Sequence, residues 1–396
     1  MNSPGAPFLR DDEEDDNTQV FLDEADIIHE ISMDNEDLPD ADDALESEPE
    51  DFGDADFVHK FTAHTDELYA VACSPTDATL VATGGKDDRG FFWRIGVGDW
   101  AFELQGHKES VSSLAFSYDG QICASGSFDG IVKVWDVSGN FEGRNLEGPG
   151  GSIEWLRWHP RGHILLGGSD DFSVWMWNTD RAALLNTFIG HGDIVTCGNF
   201  TPDGRLICTG SDDATLRIWN PKSGENIHVV EGHPYHTEGL TCLAINSSST
   251  LALTGSKDGS VHIANITTGR VVDNNAVTPH SDSIECVGFA PRDSWAAIGS
   301  LDKRLVIWDI EHFIPRSTCE HEDGVTCLTW LSASNVATGC ADGKVRVWDS
   351  RSGECVKAFN GHSDVIQSLS VSANREYLVS ASLDGTACVF EVGNFQ

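Results

Sequence analysis

Aspartate, histidine and a hydroxyl residue recur together along this 396-residue chain, and these are the residue types with which hydrolases activate a serine or threonine. Four sets are complete, each followed by a tryptophan: His64, Thr83, Asp87, Trp93; His107, Ser125, Asp129, Trp135; His191, Thr209, Asp213, Trp219; His321, Thr338, Asp342, Trp348. A catalytic centre needs one such set, whereas a repetitive scaffold needs one in every unit. The repetition therefore argues against an enzyme. GxxxxGK[ST], HExxH and GxSxG are all absent, as is any CxxC pair or Cys/His cluster at zinc spacing. No catalytic, cofactor-binding or metal-binding role is assigned to any residue.

The spacing instead describes architecture. Asp87 precedes Trp93, Asp129 Trp135, Asp171 Trp177, Asp213 Trp219, Asp302 Trp308 and Asp342 Trp348, each by six positions. Two further units keep the aspartate but replace the tryptophan, pairing Asp258 with Ala264 and Asp384 with Phe390. His64, His107, His191, His280, His321 and His362 open most units, and the third unit reads GPGGSIEW where its histidine would stand. Within a unit, a run such as VSSLAFS, a turn such as YDG, a run such as LICTGS and an Asp-bearing turn leading to Trp read as short antiparallel strands. One such sheet cannot bury both of its faces, but sheets stacked radially can cover each other.

A period of about 42 residues and the GH…D…WD pattern resemble the WD-repeat (WD40) family. The resemblance covers residues 57–396 and implies an all-β, eight-bladed propeller. It also implies that each His, Ser/Thr, Asp and Trp set is a hydrogen-bonded brace, because an indole N–H only donates and a carboxylate only accepts. The last unit ends at its third strand, TACVFEV, while FVHKF (57–61) stands alone before the first. That orphan strand is expected to complete the final blade and remove two open sheet edges.

Charge divides the chain. The formal net charge is −39; residues 1–56 hold 22 acids against Arg10 alone, and the remainder still carries −18. The 1–56 segment is expected to be a disordered acidic tail, broken by VFLDEADIIHEI with its apolar residues on one helical face. No apolar run is long enough to span a bilayer and no secretory signal is visible. The 11 cysteines lie mostly inside apolar runs, as small hydrophobes in a reducing compartment would. The expectation is a protein of the cytoplasm, and of the nucleus as a second location, with no direct contact to nucleic acid and a preference for basic partners.

Residues immediately before the turn aspartates, and those opening each first strand, are expected on one rim of the propeller. Among them Glu67, Tyr69, Phe128, Glu154, Asp170, Asp212 and Glu285 mix acids with aromatics, which suits a basic peptide. A second motif, ADGKVRVWDSR, with Asp342, Trp348, Asp349 and Arg351, matches the string by which some WD-repeat proteins dock on the adaptor of cullin–RING ubiquitin ligases.

The acidic N-terminal segment, SGSFDGIVKVWD and GPGGSIEWLRWHPRGHILLGGSDDFSVWMWN together resemble the angio-associated migratory cell protein family and its plant members. That family is similar to a yeast WD-repeat chaperone of a large-subunit ribosomal protein. The resemblance implies a carrier for the basic segment of a new ribosomal protein on its way to the 60S subunit. A ligase substrate receptor and a signalling or cell-migration scaffold are the alternatives.

Overall fold

A computed structural model describes residues 56–98, 100–138, 141–272, 280–292 and 295–395. The acidic segment ahead of residue 56, with its VFLDEADIIHEI stretch, lies outside the described residues.

Short β-rich runs separated by tight turns cannot form long helices, and the described chain is built of strands with one 3-10 turn, Gly393–Phe395. They assemble into eight four-stranded antiparallel sheets, the blades of a propeller. Blades 1 to 7 span residues 68–104, 111–146, 153–189, 197–230, 240–271, 284–320 and 325–359. Blade 8 takes three strands from 366–391 and its outer strand from the other end of the chain, His59–Phe61. Phe61 pairs with Ala387, Lys60 with Cys388 and His59 with Val389.

Core residues lie between blades, so each sheet is stable only against its neighbours. Leu80, Phe92 and Leu104 of blade 1 pack on Val111, Leu114 and Trp135 of blade 2. The seam between blades 8 and 1 is equally apolar, joining Phe61, Val379 and Val389 to Leu68, Val81 and Trp93. The Phe61 ring lies parallel to the Trp93 indole, with centroids 4.9 Å apart. All 11 cysteines carry free thiols, and burial pushes most of them up, Cys73 to about 12.

The first strand of every blade faces the central axis. In seven blades it carries a one-residue bulge near its start, at Tyr69, Ser112, Glu154, Thr241, Glu285, Thr326 and Gln367. Thr196 holds the equivalent place in blade 4, just before Cys197–Phe200. Bulges re-aim a side chain, and these eight equivalent places lie at the start of the innermost strands.

Candidate functional site: the upper mouth of the propeller

The braces must be separated from the rim before any site can be recognised. In blade 4 the set is complete: Trp219 Nε1 donates to Thr209 Oγ1 at 2.8 Å, Thr209 meets His191 Nε2 at 2.7 Å, and His191 Nδ1 meets Asp213 at 3.1 Å. Only one tautomer satisfies every atom, with the proton on Nδ1 pointing at the carboxylate and the hydroxyl donating to Nε2. Burial holds the His191 pKa down, while the His191, Gly192 and Thr215 hydrogen bonds hold Asp213 well below the usual carboxylate range. These hydroxyls are enclosed and fully committed, so they cannot serve as nucleophiles.

The other three sets depart from the complete chain, each for a visible reason. Trp93 Nε1 finds no acceptor among the described residues; the indole instead stacks on His59 and Phe61 of the closing strand, and Thr83 meets His64. In blade 2, Ser125 joins His107 and Trp135, but His107 Nδ1 stands 3.5 Å from Asp129, too far for a good hydrogen bond. In blade 7, Thr338 joins His321 and Trp348, yet His321 Nδ1 turns to the Cys319 carbonyl. Asp342 is taken by the Arg346 guanidinium at 2.6 and 3.1 Å. Burial, with the Arg346 charge beside it, lowers His321 to about 4.

Two braces departed from the sequence pattern. Blade 5 has a histidine after all: His236 meets Thr254 at 2.8 Å and Ser260 at 2.6 Å. The Tyr235 hydroxyl, 2.9 Å from Thr254 Oγ1, replaces the missing indole. An early Gly-His pair in EGHPYHTEG masks His236, although its 18-residue distance to Thr254 equals that of His191 to Thr209. Blade 6 has Ile298 where the hydroxyl belongs, leaving His280 Nε2 and Trp308 Nε1 without partners among the described residues.

The eight residues before the turn aspartates are equivalent. The backbone N–H of Lys86, Phe128, Asp170, Asp212, Lys257, Leu301, Ala341 and Leu383 each donates to a carbonyl of the loop opening a first strand. They ring the upper mouth. Inside them sit the bulge residues, which fall into two kinds. Ser112, Thr196, Thr241 and Thr326 donate their hydroxyls to Ile153, Leu240, Ile284 and Ile366 of the next blade, three of these bonds at 2.5 Å. Those four latches close blade-to-blade seams. Tyr69, Glu154, Glu285 and Gln367 stand at the same place with side chains unsuited to the latch.

Acids converge on blades 3 and 4. Glu154 is half-buried, and burial together with Asp170 and Asp212 raises its pKa. Gly151 and Gly239 leave room for the neighbouring carboxylates: a Cβ there would fall 1.9 Å from Asp170 Oδ1 and 2.3 Å from Asp212 Oδ1. Lys257 compensates one of them, with Nζ 2.7 Å from Asp212. Glu285 accepts a hydrogen bond from Ser283 Oγ at 2.7 Å.

The mouth at blades 1 and 2 is different. Glu67 is already matched by Lys86 at 3.0 Å and by the Tyr69 hydroxyl at 3.0 Å, and the Tyr69 and Phe128 rings lie 6.3 Å apart. Glu67 thus belongs to a neutralised aromatic corner rather than to the acidic cluster. Three positions beyond Glu154 on the same strand, Arg157 is exposed. The other blades put Ala72, Ala115, Asn199, Ala244, Gly288, Thr329 and Ser370 in that register.

The WDSR string is divided by the fold. Asp342 and Trp348 are spent in the blade 7 interior, and Asp349 caps its own turn by accepting the Arg351 N–H at 2.7 Å. Only the Arg351 side chain is exposed, on the lower side.

The WD domain, G-beta repeat model matches residues 55–94, 98–136, 142–178, 182–220, 224–265, 274–309, 314–349 and 353–391. The chain is 37% identical over 344 residues to angio-associated migratory cell protein of Canis lupus familiaris, covering 83% of this chain and 78% of the relative. The Homo sapiens protein of that name is 34% identical, with coverage of 83% and 79%. Among solved structures, Chaetomium thermophilum Sqt1 bound to the N-terminus of the ribosomal protein L10 superposes with a TM-score of 0.78. It is 23% identical and covers 85% of this chain and 100% of its own. Saccharomyces cerevisiae Sqt1 gives 0.77 at 22% identity, covering 85% and 99%. At that identity the structural likeness speaks for the fold.

Proposed function

The chain belongs to the WD-repeat family as a homologue of angio-associated migratory cell protein, and from that premise we propose that it is a non-enzymatic carrier of a basic ribosomal-protein segment. The segment binds at the upper mouth and is held there until it joins the large ribosomal subunit. The observation that carries this reading is the convergence of Glu154, Asp170 and Asp212 on one side of the mouth with Lys257 as their near cation. A lysine or arginine placed among them relieves carboxylate repulsion and gains charge-assisted hydrogen bonds. Tyr69 and Phe128 offer apolar area and ring faces to the same ligand. Arg157 below the acids repels a basic chain from going deeper, which confines the guest to the rim.

A net charge of −18 outside the first 56 residues adds a long-range field that speeds capture of a polycation and weakens with salt. A bound client is also kept soluble by mass action. The Sqt1 structure with the L10 N-terminus supports the class of ligand, and cytoplasmic capture is part of the proposal.

The test is fluorescence anisotropy with a labelled peptide of the basic L10 N-terminus at two salt concentrations. Reversing Glu154, Asp170 and Glu285 together to lysine should abolish capture with an unchanged melting temperature. Arg351→Ala, on the other side, should leave it intact. Undiminished binding by the triple variant would refute the assignment of this mouth.

A further inference from the structure

On the lower side of the propeller, away from the mouth, a cleft of about 340 Å³ opens between blades 3 and 4. Its floor is apolar: Ile164, Met176, Leu185 and Phe200, with Pro221 at one end. The same groove one step back, between blades 2 and 3, is lined by Gln121, Asp136, Glu142, Arg144, His163 and Asp180. The floor of the blade 3–4 cleft is thus more apolar than that of its neighbour, where Ile122 and Val134 are outnumbered by polar groups.

Leu185 reaches the cleft because of a local irregularity. The pairing of the third and outer strands of blade 3 slips between Met176 and Trp177, whose partners are Asn186 and Leu184, so Leu185 is the extra residue. It stands 47% exposed on an outer strand, beside Leu184 at 41%. The Gly204 turn shapes the opposite wall, where the His159 ring lies edge-on to Phe200 and meets the Gly204 carbonyl at 3.3 Å.

The rim is basic, against the trend of a strongly acidic chain. Lys222 lines the cleft and is exposed, with no carboxylate within ion-pair distance among the described residues. Outside the lining residues, Arg181 in the turn leading to the outer strand of blade 3 is likewise exposed and without an ion pair among the described residues, and Arg161 is exposed two residues from the lining His159. The acids beside them have other partners: Asp203 pairs with Arg205 at 3.7 Å, Asp180 with His163 at 2.7 Å, and Glu225 accepts from Ser223 Oγ at 3.2 Å. Elsewhere basic side chains near the lower turns are commonly matched, as Arg94 is by Asp77 and Lys357 by Asp56.

We infer that this cleft docks a segment of a partner protein that presents aliphatic side chains flanked by carboxylates. The aliphatic groups fill the floor beside Leu185, and the carboxylates meet Lys222, Arg181 and Arg161. The cleft volume lies within the ~300–1,000 Å³ of ordinary binding clefts, and the pairing of an apolar anchor with a charged rim follows interface anatomy. The surface is separate from the mouth, so the protein can hold a basic guest above and an acidic partner below.

The experiment uses the full chain and a labelled helical peptide with leucines at i and i+4 among glutamates. Saturable anisotropy is expected, weakened roughly tenfold by Leu185→Asp and again by Lys222→Glu, tenfold being the factor that ~1.4 kcal/mol makes in a binding constant. Both positions are exposed, so both variants should keep the parent melting temperature and its affinity for the L10 peptide. Binding that does not saturate, or that both variants leave unchanged, would overturn the inference. So would a concentration-dependent dimer in sedimentation that Leu185→Asp dissolves, since the cleft would then join two copies of this chain.

Discussion

The clearest quantitative consequence of the braces is a comparison of one substitution at two equivalent places. Thr209 and Thr83 occupy the same position in blades 4 and 1, and both are buried. Valine replaces threonine at nearly constant volume, so no cavity forms and the loss reports hydrogen bonding. Thr209→Val strands two atoms, Trp219 Nε1 and His191 Nε2. At ~1–3 kcal/mol for each buried group left unsatisfied, the loss should be roughly 2–6 kcal/mol. Thr83→Val strands only His64 Nε2, because the Trp93 indole already lacks an acceptor among the described residues. Its loss should be about 1–3 kcal/mol. Urea unfolding followed by circular dichroism measures both, provided the m-value is unchanged. A double-mutant cycle with Trp219→Phe should recover the difference. Equal losses for the two valine variants would refute the reasoning, as would a Thr209→Val loss below about 1 kcal/mol.

Ring closure and pH give further tests. Deleting 57–62 should lower the melting temperature sharply, and Phe61→Ala alone should cost about 3–5 kcal/mol by removing a buried ring stacked on Trp93; an unchanged melt would deny the closing strand its role. His321, held near 4 when folded, stays neutral while the unfolded chain takes up a proton around pH 6.5. Stability should therefore fall by up to roughly 3 kcal/mol as pH drops through that window and level off below it. Asp213, Asp258 and Asp384, all held well below the usual carboxylate range, should add a second loss at still lower pH. His321→Gln should shrink the first step without abolishing it, since burial also holds His107, His191 and His280 down, and should spare the second; urea titrations at stepped pH would read both.

The sequence alone determined the repeat, its four-strand grammar and the number of units, because a blade is local. Its turns, alternation and Asp–Trp spacing lie within about forty residues of one another. Residue types also announced the bracing hydroxyls Thr83, Ser125, Thr209 and Thr338, since an indole N–H and a histidine need a hydroxyl between them. Only the tertiary structure decided which polar atoms actually meet. Arg346 captures Asp342, Tyr235 substitutes for an indole, and Trp93 gives up its acceptor to stack on a strand from the other end of the chain. These choices turn on angstroms across strands and on competing partners, which spacing along the chain does not encode. The rim followed the same division. Its acids were legible one by one, but their clustering at blades 3 and 4, the neutralisation of Glu67 and the apolar cleft below exist only where neighbouring blades face each other.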